Sequence, residues 1–445
     1  MAKRKVRGNI WIDSILATVF IYIFMFVVQN ISQLNVFDAF DPIGEALADM
    51  EMTDYAFSEL RDPLPPDTSI VLVNIGPLGR AGIAEQIKIL DKYEPKVIGM
   101  DSFFKTYTDD PYNGDTLGSL SLSFAIATAQ SDIVMVSKVD QSDSLAAIHE
   151  GEEIYDIYYR SDSMFLQGVY EAIANLDTDA DYQEDIKICR RFPPRRSVIG
   201  GDTHMAFGAK LAQLYDSSSV EPLFNRDNDF EIINYRGDFV NFYEEDKFST
   251  RFYALDYDQL LREEFVPGMI KDKIVIVGYL GDEIGEDNWE DKFFTPLNPK
   301  IAGRANPDMY GPVIHANITS MILNGDYVDR LSEWTENIIG LVLAFLNVLL
   351  FSIIYRKMGP WYDGMTKLIQ VVELMLILFF IIYIFSWASF KLELTVGLFA
   401  IALAGDLLEV YYGVIKNLFS RKTLSKVANL GVGKKRKKKK LATKS

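Results

Sequence analysis

The chain has 445 residues, 49% of them apolar and 24% charged, and a net charge of −17. That length allows more than one domain. A single cysteine, Cys189, excludes a disulfide-stapled fold, and three scattered histidines exclude a clustered zinc set.

The apolar residues are concentrated in four runs, Ile10–Val28, Ile338–Tyr355, Leu368–Phe385 and Leu394–Leu408. Each approaches the roughly 20 residues that cross a hydrocarbon core. Residues 1–9 carry Lys3, Arg4, Lys5 and Arg7 and read as a cytoplasmic basic N-terminus. The span at 10–30 lacks a small-x-small cleavage site, so it reads as an uncleaved anchor rather than a signal peptide.

Residues 31–66 follow. Phe37, Phe40, Ile43, Leu47 and Met50 recur at helical spacing, which predicts a membrane-proximal amphipathic helix. The prolines of Asp62–Asp67 end it.

A domain is expected over 67–334. Ser69–Ile75 and Lys96–Met100 read as strands buried on both faces, and Ile133–Ser137 as a third. Gly82–Tyr93 and Leu117–Ala129 read as the helices between them. This alternation predicts an α/β fold with a mostly parallel sheet. Thr203–Tyr215 and Tyr253–Leu261 read as helices, Ile232–Arg236 as a strand, and Gly311-Pro312 opens a helix carrying His315.

Ligands of such sheets bind at the carboxyl ends of the strands. Asp101 stands at one such end, followed by Phe103; with His315 and Asn317 they form the ligand-binding candidates. Asp177, Asp179 and Asp181 form a candidate cation site, although Tyr182 stands where an EF-hand needs glycine. The bland reading, a solvated acidic turn, is preferred there and for the acidic loop Asp282–Asp291. No Gly-x-Ser-x-Gly elbow and no phosphate-cradling glycine loop appears, so no catalytic residue and no cofactor are expected.

Spans are expected at 335–356, 367–387 and 392–415, and a cytoplasmic basic tail at 416–445. Arg356, Lys357 and Lys367 place the link after the second span in the cytoplasm. The long segment 31–335 then lies outside; it holds 25 Lys and Arg against 55 Asp and Glu, a net of −30. That charge argues against nucleic acid as its partner. Among ionisable residues in the spans, Glu373, Asp406 and Glu409 are expected to make intramembrane contacts, and Asp13 to snorkel from its span's end. The run Lys434, Lys435, Arg436, Lys437, Lys438, Lys439 and Lys440 is expected to bind anionic lipid headgroups.

Several pieces in order resemble the CHASE type 2 family of extracellular sensory domains associated with cyclases and histidine kinases. They are Thr68–Asn74, Lys96–Phe104, Asn175–Asp181 with Arg190–Pro193, and Ile233–Gly237. The closing pieces are Lys273–Gly278, Thr295-Pro296, Gly311–Asn317 and Leu323–Gly325. The one-plus-three arrangement of spans is similar to that family's layout. An Asp-Gly in the Asp-rich turn is absent here, and an insertion separates that turn from the arginines. No cyclase or kinase domain follows the fourth span, so the resemblance implies an output carried by another protein.

The expectation is an inner-membrane, receptor-like protein with both termini cytoplasmic and its large domain periplasmic. That domain would bind a ligand or protein and relay its state to other membrane or periplasmic proteins, as a homo- or hetero-oligomer. The alternative is a non-catalytic subunit of a cell-envelope complex; a periplasmic hydrolase is held behind both.

Overall fold

The computed structural model describes residues 9–32, 54, 56–105, 115–148, 154–178, 188–239, 248–286, 291–298, 306–358, 361–392 and 394–416. The chain divides into two units. One is Ala46–Val328; the other joins Met1–Glu45 with Asp329–Ser445.

In the first unit, aliphatic runs form buried strands: β1 (Ile70–Asn74), β2 (Val97–Asp101), half-buried only at its last residue, and, late in the chain, β12 (Ile274–Gly278). They join β3 (Asp132–Asp140), β4 (Ile157–Arg160), β5 (Tyr170–Ile173) and β11 (Tyr253–Leu255) in a seven-stranded sheet. Its order is β11-β1-β12-β2-β3-β4, with β5 also on β3. All its pairings are parallel except β3 with β4. Short antiparallel pairs elsewhere make the unit mixed, including β8 (Arg195–Ser197) with β9 (Thr203–Met205) and β13 (Lys292–Phe293) with β14 (Met309–Tyr310).

Successive strand residues face opposite sides of a sheet. Val71, Val73, Ile98, Met100, Val275 and Val277 face helices α2 (Arg80–Lys92) and α3 (Thr116–Thr128). On the other side pack α4 (Phe207–Tyr215), reached after β9, and α7 (Gly311–Asn324). Between them in the chain come α5 (Val220–Asn225) and α6 (Tyr257–Leu261).

Three local expectations are corrected. Tyr253–Leu255 is an edge strand, and the helix starts only at Tyr257, where Asp256 caps it. Thr203–Met205 is likewise a strand ahead of its helix. Of Ile232–Arg236, only Ile232 lies on a strand, β10 (Glu231–Ile232), paired with β7 (Cys189–Phe192); the Ile233 N–H still donates to the Arg190 carbonyl at 2.9 Å, and Asn234 and Arg236 are held by side-chain hydrogen bonds, described below. In each case a tertiary partner decides what local pattern cannot. The amphipathic helix expected around Phe37–Met50 lies outside the described residues; Ala56–Leu60 is a single wide helical turn.

The second unit holds four helices long and apolar enough to cross a membrane. They are α1 (Ile10–Ser32), α8 (Glu333–Met358), α9 (Tyr362–Ala388) and α10 (Thr395–Val410), the last continuing as a wider turn to Ile415. In lipid the hydrophobic effect does not draw helices together, so small residues and polar contacts must. Gly340 of α8 meets Gly397 of α10: a Cβ on Gly397 would stand 2.6 Å from the Gly340 Cα. Ala344, Ala400 and Ala404 continue the seam. The Gln370 amide of α9 donates to the carbonyls of Ile401 (3.0 Å) and Ala402 (2.9 Å), and the Tyr362 hydroxyl to that of Gly405 (2.7 Å).

Gly397→Val therefore forces α8 and α10 apart. Overpacking of this kind costs about 1–3 kcal/mol, and a lowered melting temperature of the chain in detergent, with Gly364→Ala as the unaffected control, checks it; Gly364 has open space around it.

Candidate functional site

At the carboxyl edge of the sheet, Asn74, Gly278 and Asp101 stand side by side in register. Asn74 is fully committed to structure. Its amide donates to the Asp256 carboxylate and the Gly281 carbonyl, and its oxygen accepts from the Gly76 and Leu280 N–H groups, all at 2.9 Å. Gly278 is required because α7 begins against it: a Cβ there would meet Pro312 at 2.5 Å. Asp101 is thereby set beside the first turn of α7, its carboxylate 3.7 Å from where a Gly311 Cβ would sit.

Burial, with the negative Asp291 nearby, pushes the Asp101 carboxyl up to about 7. Phe103 follows it on the surface. Tyr279 and Tyr310 meet edge-on across the same mouth, and the Tyr279 hydroxyl donates to Asp282 at 3.1 Å. The Tyr310 hydroxyl is buried with no hydrogen-bond partner among the described residues. This arrangement offers hydrogen bonds and aromatic faces. Among the described residues no group of His, Cys, Asp and Glu is arranged to hold a metal.

His315 and Asn317 do not join that mouth. His315 is buried, edge-on to Phe207 at 5.1 Å, and burial lowers its imidazole to about 3, so it stays neutral. Asn317 is also buried. Its oxygen accepts from the N–H groups of Arg236 (2.7 Å) and Gly237 (3.1 Å); its amide donates to the carbonyls of Gly237 and Val313. Asp177 lies on β6 (Asp177–Thr178), paired with Arg191 of β7, while Asp179 and Asp181 lie outside the described residues, as do Lys434 to Lys440.

A second cluster was not legible in the sequence. Where the chain arrives at the first β-strand and where it leaves α7, a buried polar network joins three segments. The Ser320 hydroxyl accepts from Arg236 Nε (2.8 Å) and donates to Asp67 (2.6 Å). Arg236 also donates to the Pro65 carbonyl (2.5 Å) and to Asp326 (3.2 Å). Asn234 donates to the Asp326 carbonyl (2.7 Å) and accepts from Arg61. Burial alone would raise the Asp67 carboxyl; hydrogen bonds from Ser320 and Ser69, and the charge of Arg236, outweigh it and hold it below the ordinary value. The signal that could have marked this cluster is Arg236 itself, an arginine set among apolar residues in Ile232–Phe239.

In the helical unit, Asp13 does not simply snorkel. It accepts from Arg356 of α8 (2.6 Å) and from Lys416 beyond α10. Asn347 of α8 donates to Glu373 of α9, and Lys367 pairs with Asp406 at the surface. Glu409 is also engaged.

Compared with known families, residues 21–354 match the CHASE2 domain, three quarters of the chain. The chain belongs to the CHASE2 domain family. No curated protein and no solved structure matches it. CHASE2 domains are sensory, and the match is consistent with a sensor role for a protein with four apolar, membrane-length helices.

Asp101 yields a pH prediction. An unfolded aspartate titrates near 4, whereas the folded value is about 7. The folded state thus holds the extra proton between these values; the stability it brings is full below pH ~4 and lost as pH rises through ~7. Asp308, raised to about 7 by burial against hydrogen bonds from Thr295 and Asn298, acts in the same sense. Asp101→Asn should raise stability at pH 8 by on the order of 2 kcal/mol, discounted for the exposed part of the side chain, and leave it little changed at pH 4. Thermal melts across that range, showing a shallower slope for the variant, check this.

Proposed function

We propose that this CHASE2 chain is an inner-membrane receptor whose extracytoplasmic domain binds a ligand or protein at the carboxyl edge of its sheet. The domain relays that state through the spans to a separate protein. The observation that carries this reading is the placement of α7. Its first turn lies beside Asp101 at the mouth, and its last turn, through Ser320 and Asn324, lies in the Asp67–Arg236–Asp326 network. Fourteen residues of α-helix make a rod about 21 Å long. With Pro312–Ile322 buried, the rod moves as one piece if it moves at all.

The far end of that rod is where the chain comes from α1 and departs for α8. Arg61 and Asp67 lie on the arriving strand of chain and Asp326 on the departing one. A shift of α7 caused by binding at the mouth would alter how the two are held. Binding rather than catalysis fits the residues: His315 is sealed in the core, and His204 is stacked flat on Tyr158 at 4.1 Å. The basic flanks, Arg356 and Lys357 among them, support cytoplasmic termini.

The test is purification of the full chain from native membranes in mild detergent. A stoichiometric co-purifying partner, lost when Arg236→Met is introduced while the spans still insert, is the expected result. A chain that emerges alone, or a partner held equally by Arg236→Met, overturns the relay. Removing one member of a buried ionic network destabilises by roughly 3–5 kcal/mol, so melting of the variant is followed alongside.

A further inference from the structure

The two helices on one face of the sheet, α2 and α3, lie against each other and present very different outer surfaces. α2 buries Ile83, Ala84, Ile87 and Leu90 and turns Glu85, Lys88 and Lys92 to solvent. α3 buries Leu122, Ala125 and Ile126 in the same core, yet its outer stripe is also apolar. Leu117 is 79% exposed, Leu120 51% and Phe124 66%. No charged residue occurs anywhere in its thirteen positions. An ordinary surface helix keeps a polar outer face, and its neighbour α2 does so in this same protein.

We propose that α3 is a self-docking surface through which two copies of this chain pair around a two-fold axis. Three observations select a second copy as the occupant. The first is spacing. Leu117 and Phe124 are seven residues apart, two helical turns, with Leu120 between them on one stripe. An antiparallel pair of such helices crossing near Leu120 sets Leu117 of one against Phe124 of the other and Leu120 against itself, as an isologous contact requires.

The second is charge. The segment 31–335 carries a net of −30, so like domains repel wherever charged surfaces meet. A contact between copies must use an uncharged face, whereas a charged partner would be held by a charged one. The third is area. The three exposed side chains amount to roughly 350 Å² of apolar surface, the scale of the largest patch on an ordinary monomer. Pairing two such patches removes roughly 700 Å² from water, less than the roughly 1,200 Å² of a stable soluble complex, so the contact is a weak one that membrane anchoring must support. Anchoring in a shared membrane raises the effective concentration of copies, so this apolar centre with a modest rim suffices.

The full-length chain in native membranes tests the proposal by oxidative cross-linking. Leu120→Cys lies at the two-fold axis, where opposed Cα atoms fall within the roughly 7 Å that a disulfide spans. It should give a covalent dimer under mild oxidation with copper phenanthroline. Lys88→Cys on α2, and the unaltered chain with its buried Cys189, should not. Adding Phe124→Glu should cut the cross-linked fraction roughly tenfold or more, because paired carboxylates would be placed in an apolar contact, while the melting temperature stays unchanged at this exposed position. A Leu120→Cys chain that remains monomeric, or cross-links equally well with Phe124→Glu present, overturns the proposal. So does quenching of a bimane label on Leu120→Cys by brominated lipid, which would place the stripe against the bilayer instead.

Discussion

The buried carboxylate of Asp67 obliges three stretches of the first unit to fold together. A charge out of water is tolerated only when hydrogen bonds and an opposite charge replace its hydration. Here Ser69 and Ser320 supply the hydrogen bonds and Arg236 supplies the charge. Arg236 in turn needs acceptors, and finds them at Pro65 and Asp326. Each requirement recruits another stretch of chain. The result is that 61–69, 234–237 and 317–326 must fold together or leave buried groups unmet. The same logic explains Asn317, whose four hydrogen bonds hold an extended segment that has no sheet partner.

The helical unit solves a different problem. Its helices cannot gain from burying apolar surface, since lipid is equally apolar. Close approach at Gly340 and Gly397 gains dispersion contacts instead, and Gln370 and Asn347 add hydrogen bonds between helices. Asp13 is the node of the first helix, since it takes one cation from α8 and another from just beyond α10. Ser14 reinforces the α1–α8 contact through Ser352 at 3.2 Å. The first span is thus tied to α8 and to the chain just beyond α10 by named polar groups, in addition to the packing of Ala17 and Ile21 in the apolar seam.

Much of this architecture was legible because it rests on local pattern. The runs Ile70–Asn74, Val97–Asp101 and Ile274–Gly278 are strands wherever they sit, and four long apolar segments are membrane-length helices by composition. Sheet order was not legible. β12, which begins at Ile274, inserts between β1, which ends at Asn74, and β2, which ends at Asp101, and no local signal states that pairing. The site divided in the same way. The position of Asp101 at a strand end was legible because the end of an aliphatic run is visible in sequence. His315 and Asn317 share a helix with Gly311, but helix rotation turns them to the core, and which face is buried depends on α4 packing beside α7 on the sheet. The Asp67–Arg236 network joins residues far apart in the chain, so only the folded structure brings it into view.

The position of α7 makes these features consequences of one another. A helix packed against a sheet and against α4 beside it cannot bend readily, since interiors are close-packed and shift as units. Its N-terminal end is fixed by Gly278, where any side chain would collide with Pro312. Its C-terminal end is fixed by Ser320 and Asn324 on Asp67. Under the proposed function, a group entering beside Asp101 would act on one end of a stiff element whose other end holds both the arriving and the departing chain. Two discrete arrangements of the Asp67–Arg236–Asp326 contacts are what such a lever needs in order to carry a signal. The exposed half of that network, Asp326, is the part free to exchange its arginine for water, while Asp67 and Ser320 stay sealed.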